Sequence, residues 1–244
     1  MNYATAIILA AGKGTRMKSE QAKVLHLIAG VPMIDYVVEA VKRAGLAPVI
    51  VVVGYQAEAV RAHLVKYPYL CFALQEEQLG TGHAVKSAVH LIPPDNRDVV
   101  ILCGDTPILR PKTLSALVSR HRSGSSPVTM LVARVDNPSG YGRIITSRDQ
   151  YVMRIVEEPD ATEEEKKINL INAGIYCVNS SLLQELLGDI RPANAQKELY
   201  LTDIVGIAAD RGTSAVYMEV EDSEEVLGVN TMADLAHAEK IMAL

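Results

Sequence analysis

Apolar runs alternate with amphipathic stretches through the first half of the chain. Residues 4–9, 49–53, 70–74 and 99–103 are short apolar runs, the pattern of strands buried on both faces. Between them, residues 33–44, 56–66, 81–91 and 111–122 repeat apolar positions at helical spacing. Strand–helix alternation predicts right-handed βαβ units and an α/β fold: a Rossmann-like, doubly wound, mostly parallel sheet. Ligands of such sheets bind outside the carboxyl ends of the strands.

The pattern changes after Ser123-Gly124-Ser125-Ser126-Pro127, a run of turn-forming residues. Residues 128–134, 142–146, 152–157 and 171–178 read as strands separated by turns rather than by long helices. They predict an extra β-rich lobe over the cleft of the first half. Residues 160–167 form a charged insertion, expected to be a short exposed helix. Helices are expected at 180–187, 202–210 and 231–243. No internal repeat or low-complexity segment interrupts this order.

Composition narrows the picture. With 244 residues the chain is long enough for one large α/β domain or two small ones. Trp is absent and Phe72 is the only phenylalanine, so the core is aliphatic, as parallel sheets favour. A net charge of −5 argues against a nucleic-acid partner. No stretch approaches the ~20 apolar residues of a membrane helix, so no membrane partner is expected. Cys71, Cys103 and Cys177 are odd in number and without metal-ligand spacing. They fit reduced thiols and a cytoplasmic location.

Against the acidic background, residues 1–26 hold Lys13, Arg16, Lys18 and Lys23 against Glu20 alone, a local charge of +3. These cations surround Leu9-Ala10-Ala11-Gly12-Lys13-Gly14, where the first strand breaks into small residues. Gly12 and Gly14 free the loop to aim successive N–H groups at one point, making an anion nest. The loop is neither a P-loop, which needs Gly-Lys-Ser/Thr after a longer spacer, nor a dinucleotide fingerprint, which needs glycine where Met17 stands. A Gly-rich turn with solvated lysines is the plain alternative, and the charge contrast favours a polyphosphate site.

Leu102-Cys103-Gly104-Asp105 ends another predicted strand with an acid. A carboxylate there suits Mg²⁺, which bridges one or two protein oxygens to substrate phosphates. Capping the turn before Pro107 is the alternative. Asn230 is a candidate second oxygen, with helix capping as its alternative. Gln75 offers both a donor and an acceptor, which suits the imide edge of uracil, although the residues alone read as an ordinary helix start. Gly142, Glu157 and Asn172 have chemistry for sugar hydroxyls, although each alone is more often a turn or edge residue.

Taken together these segments resemble the sugar-nucleotide pyrophosphorylases. They are most similar to the uridylyltransferase domain of the bacterial bifunctional N-acetylglucosamine-1-phosphate uridylyltransferases. The likeness covers residues 4–240. It is carried by residues 9–17, Lys23-Val24-Leu25-His26, Gln78-Leu79-Gly80-Thr81-Gly82-His83-Ala84, Gly140-Tyr141-Gly142-Arg143-Ile144 and Gly228-Val229-Asn230. The resemblance implies uridylyl transfer from UTP to N-acetylglucosamine 1-phosphate with Mg²⁺. Leu9, Ala10, Ala11, Gly12, Gly14, Gln75, Gly80 and Thr81 would hold the nucleotide, with Thr81 also bordering the sugar phosphate. Arg16 and Lys23 would be the catalytic cations, and Asp105 and Asn230 the metal ligands. Gly104, Gly142, Glu157, Asn172, Tyr200 and Thr202 would surround the sugar phosphate. It also implies one nucleotidyltransferase domain over 1–244. That domain comprises a nucleotide-binding half at 1–126, a sugar-binding lobe with return strands at 127–230, and a C-terminal helix at 231–244.

Two positions depart from the family. Ala22 stands where proline usually precedes the lysine, and Cys103 where close relatives have tyrosine. The hexapeptide repeats that follow in the bifunctional enzymes are not in this sequence. Both a stand-alone enzyme and part of a longer one accommodate that, and monomer and dimer both remain open. Rival readings are another sugar 1-phosphate or nucleotide on the same fold, or a nucleotide-sensing module without turnover.

Overall fold

The computed structural model describes residues 4–243; residues 1–3 and 244, the extremes of the expected domain, lie outside the described residues. Eleven strands run in chain order: β1 (Thr5–Ala10), β2 (Leu27–Ile28), β3 (Val31–Pro32), β4 (Val49–Val53), β5 (Leu70–Leu74), β6 (Asp98–Cys103), β7 (Val128–Arg134), β8 (Arg143–Thr146), β9 (Val152–Val156), β10 (Leu170–Asn179) and β11 (Val216–Glu219). The helices are α1 (Met33–Arg43), α2 (Ala57–Leu64), α3 (Thr81–Ala88), α4 (Pro111–Ser123), α5 (Ser180–Asp189), α6 (Asp203–Asp210) and α7 (Met232–Met242).

The main sheet has the order β11-β7-β10-β6-β1-β4-β5. β5, β4, β1 and β6 are mutually parallel, as βαβ units require. β10 enters antiparallel between β6 and β7, and β11 pairs parallel with β7. The sheet is therefore mostly parallel. β8 branches off the start of β10 and pairs with β9.

Alternation within the all-apolar strands explains why both faces are covered. Ala6, Ile8, Val49, Val51, Val100 and Leu102 pack with Val37 and Val41 of α1 and Leu114 and Leu117 of α4. Ile7, Ile50, Val52, Val99 and Ile101 pack on the other face with Val85 of α3, Leu183 and Leu186 of α5, and Ile204 of α6. A third, small cluster joins Met17, Ile28, Met33, Val229, Leu235 and Ala238. It docks α7 and the β2–β3 hairpin onto the start of α1.

Some expectations change. β2, β3 and β11 are additions to the strands given ranges from the sequence, because two to four residues carry no measurable period. The insertion at 160–167 is not one helix: one 3₁₀ turn, Glu158–Asp160, leads into it and another, Glu165–Lys167, ends it. Thr162 closes the gap between them, its N–H and hydroxyl donating to Glu165 at 2.9 and 2.8 Å.

At the first turn of α6, burial and then the nearby Asp160 carboxylate push the Asp203 carboxyl from its ordinary 3.8 up to about 6. The folded chain therefore binds this proton more tightly than the unfolded chain, and stability declines as pH rises from 3.8 to about 6. Asp203→Asn removes that dependence. Its melting temperature relative to wild type should be higher at about pH 7.5 than at about pH 4. A gap that stays constant across thermal scans at the two pH values would contradict the assignment.

Candidate active site

The carboxyl ends of β1 and β6 lie side by side, Leu9 in register with Cys103. Gly104 N–H donates to the Leu9 carbonyl at 2.9 Å, so the two strand exits stay joined where the loops diverge. A cleft of about 410 Å³ opens there. Its lining includes Leu9, Ala10, Ala11, Gly12, Gly14, Lys23, Gln75, Gly80, Thr81 and Asp105, all expected site residues, together with Cys103 and Glu198.

The loop after β1 ends in a short 3₁₀ turn at Thr15–Met17, begun by Gly14 at φ 64°. A Cβ on Gly14 would come within 2.6 Å of the Lys23 Cβ, so the lysine stem lies directly on this glycine. Among the described residues the backbone N–H groups of Gly12, Lys13 and Gly14 have no hydrogen-bond partner. Free N–H groups beside lysine and arginine make an anion-binding surface. Lys13 stands 5.6 Å from the centre of the Tyr55 ring, a cation–π contact at the mouth of the cleft.

Opposite this loop, Lys23 Nζ is ion-paired with Asp105 Oδ2 and donates to Asn230 Oδ1 at 3.1 Å. Arg16 donates to the same Asn230 oxygen at 2.7 Å. The two oxygens proposed for a metal thus converge on one positive charge. That arrangement fits a hard divalent cation completed by ligand oxygens. Among the described residues there is no group of three or more His, Cys, Asp or Glu side chains able to hold a metal. A metal here would rely on Asp105, Asn230 and substrate.

The capping alternative for Asn230 does not hold. Thr231 is the N-cap of α7 and forms a capping box with Asp234. Asn230 contributes its backbone N–H to the Asp234 carboxylate at 2.9 Å and leaves its amide oxygen to the cations.

Gln75 is buried at the end of β5. Its Nε2 donates to the Gly80 carbonyl at 3.0 Å and faces His83 Nδ1 at 3.1 Å. With the donor end engaged, the acceptor Oε1 is the part left for a ligand. Gly80 sits at φ 110°, and a Cβ there would meet the Leu199 carbonyl at 2.6 Å. The Thr81 hydroxyl accepts the Leu201 N–H at 2.9 Å, so it is committed to holding residues 199–201 against the start of α3.

The residues expected on the sugar side form a second group. Glu157, Tyr200 and Thr202 line a pocket of about 460 Å³ with Asp160 and Asp203. Gly142 lies against Glu157: a Cβ would come 3.3 Å from its Oε2. Asn172 N–H donates to the Gly142 carbonyl at 2.8 Å, and its side chain accepts from Gly174 N at 3.0 Å. Burial pushes the Glu157 carboxyl up, and the Thr202 hydroxyl opposes it. The Cys103 thiol, raised to about 12 by burial and then by Asp105, faces Gly174 across the floor. It is a neutral thiol.

Sequence reasoning missed what fixes the Gly140–Gly142 loop. Arg143 is fully buried, ion-paired with Glu158 at 2.6 Å and hydrogen-bonded to the Tyr141 carbonyl. A lone arginine beside a glycine carries no sign of burial in sequence. Glu198 was missed as well, because the segment before Leu199 reads as ordinary polar loop.

Comparison with known proteins places the chain in a family. Residues 5–230 match the Nucleotidyl transferase family. The "Bifunctional protein GlmU" of Pelobacter propionicus is 51% identical over 242 residues, covering 99% of this chain and 53% of that protein. The GlmU of Geobacter metallireducens is 49% identical over 238 residues, covering 98% of this chain and 50% of its own length. The chain therefore spans about half the length of these curated relatives. Among solved structures, a UDP-glucose pyrophosphorylase complexed with UDP-glucose superimposes with a TM-score of 0.78 at 19% identity, covering 99% of this chain and 98% of its own. That likeness establishes the fold. The chain belongs to the nucleotidyl transferase family.

Proposed function

We propose that this chain is a nucleotidyltransferase that moves a uridylyl group from UTP to N-acetylglucosamine 1-phosphate, releasing pyrophosphate and forming UDP-N-acetylglucosamine. The observation that carries the reading is the convergence of Lys23, Arg16, Asp105 and Asn230 beside the unpartnered N–H groups of the Gly12–Gly14 loop. The choice of sugar rests on the similarity to GlmU proteins.

A sugar-phosphate oxygen attacks the α-phosphorus of UTP, and the bond to the bridging oxygen of pyrophosphate breaks. The attacking oxygen is already anionic near neutral pH, since a phosphate monoester has its second pKa at about 6. No protein base is needed. Arg16, Lys23 and the loop N–H groups hold the triphosphate in line and offset charge as the pyrophosphate departs. Asp105 and Asn230 would hold Mg²⁺, which supplies further charge neutralisation on the phosphate oxygens when bound. Gln75 Oε1 would accept the uracil N3–H, with backbone groups near Ala10, Ala11 and Gly12 completing the base edge. Gly142, Glu157, Asn172, Tyr200 and Thr202 would surround the sugar. Unpaired Cys71, Cys103 and Cys177 fit a cytoplasmic enzyme.

The direct test is pyrophosphate release from UTP with N-acetylglucosamine 1-phosphate, glucose 1-phosphate and glucosamine 1-phosphate, with and without Mg²⁺. Metal-dependent release favouring the acetylated sugar is expected. Preference for another sugar phosphate would reassign the substrate; no release from folded protein would overturn transfer. Lys23→Ala should lower kcat by ~10²–10³-fold, the cost of losing a preorganised electrostatic donor. Asp105→Ala should abolish metal-dependent turnover while leaving the circular-dichroism spectrum unchanged. Near-wild-type rates in either variant would remove that residue from the mechanism.

A further inference from the structure

The turn after β4 contains a side chain that the reaction above does not use. Gln56 adopts φ 51° and ψ 40°, the left-handed region that disfavours any residue with a Cβ. It occupies the N-cap position of α2 but makes no side-chain cap to that helix. The side chain turns back toward the cation loop. Its Oε1 accepts the Ala22 N–H at 2.8 Å, and its Nε2 donates to the Glu20 carbonyl at 2.7 Å. The Tyr55 hydroxyl donates to the same carbonyl at 3.0 Å. Residues 20–22 are thereby fastened immediately before Lys23.

The anchor is itself rigid. Tyr55 N–H donates to the Ala11 carbonyl at 3.0 Å, and Val53 of β4 is in register with Ala10 of β1. Gln56 therefore references the Lys23 loop to the exits of the two central strands. From the other side, the Lys23 stem is held against Gly14. Strained backbone in an exposed turn, with the side chain spent on a neighbouring loop, points to a local task for the residue.

We infer that Gln56 is a positioning residue for Lys23, acting on the reaction through residues 20–22 without touching substrate. The inference rests on Lys23 being the phosphate-binding cation of the proposed function. Ala22 makes it specific. Its φ of −53° and ψ of 128° suit proline. What alanine provides there and proline lacks is an N–H, and that N–H is the one Gln56 holds. A hydrogen bond fixes a backbone angle that a ring would otherwise fix.

The test compares wild type, Gln56→Gly, and Gln56→Gly combined with Ala22→Pro. Three readouts are taken: thermal melting, UTP binding by calorimetry, and kcat/KM for pyrophosphate release. Glycine removes both hydrogen bonds and relieves the left-handed strain, so the melting temperature should hold or rise. The kcat/KM for UTP should fall on the order of 10-fold, because small displacement of a charge from its reacting group is costly. Adding Ala22→Pro should recover most of that loss by fixing the loop without Gln56. A Gln56→Gly enzyme within about twofold of wild type would remove the role. So would melting and activity falling together with no recovery by proline, the mark of a merely structural residue. Wild type that neither binds UTP nor releases pyrophosphate overturns the reading of Lys23 itself, and this inference with it. An active wild type beside an unimpaired variant overturns only the part assigned to Gln56.

Discussion

Asp105 and Asn230 come from distant parts of the chain, and their oxygens face one point because Val229 N–H donates to the Asp105 carbonyl at 2.9 Å. This bond sets the strand exit of β6 against the entry to α7. The apolar cluster of Met17, Ile28, Met33, Val229, Leu235 and Ala238 then keeps α7 where it is. Met17 follows Arg16 and Val229 precedes Asn230, so the same cluster brings the arginine to the asparagine oxygen. Burial of a few apolar side chains, the larger ones each contributing ~1.5–3 kcal/mol, is what holds the charged groups together.

The direction of β10 does comparable work for the other pocket. In a parallel sheet every strand ends at the ligand-binding edge. β10 runs antiparallel to β6 and β7, so its beginning lies at that edge instead. Asn172 is near that beginning, just before the register shift toward Tyr176. Glu157, directly after β9, reaches the same region through the β8–β9 branch. The segment from Glu198 to Thr202 lies between the two pockets. Gly82 N–H donates to the Leu199 carbonyl at 2.7 Å, and Leu199 N–H to the Leu79 carbonyl at 2.8 Å. Glu198 consequently faces one cavity while Tyr200 and Thr202 face the other.

The strands and helices of the first half were legible because their periods are long and their breakers strong. The Gly12–Gly14 loop was legible for the same reason: it interrupts a buried strand with charge. What sequence does not carry is orientation and commitment. Nothing in residues 170–179 says that this strand runs against its neighbours. Nothing in Thr231 says that it, and not Asn230, caps α7; both residues cap well, and the choice is made by Asp234 closing the box. Gln56 is invisible for a related reason. A glutamine opening a helix is unremarked in sequence, and only its left-handed backbone shows that the side chain serves another loop.

Lys23, Arg16, Asp105 and Asn230 satisfy one another in this structure. Whatever draws the lysine toward a phosphate leaves the carboxylate bare. Whatever draws the carboxylate toward a cation leaves the lysine bare. A visitor of one sign can only strand a charge in a partly buried site, where stranding is expensive. A visitor carrying both signs at once exchanges partners with the cluster and strands nothing. Under the proposed function, such an exchange would favour a nucleotide that arrives with its counter-ion over either component alone, before any contact with base or sugar is made.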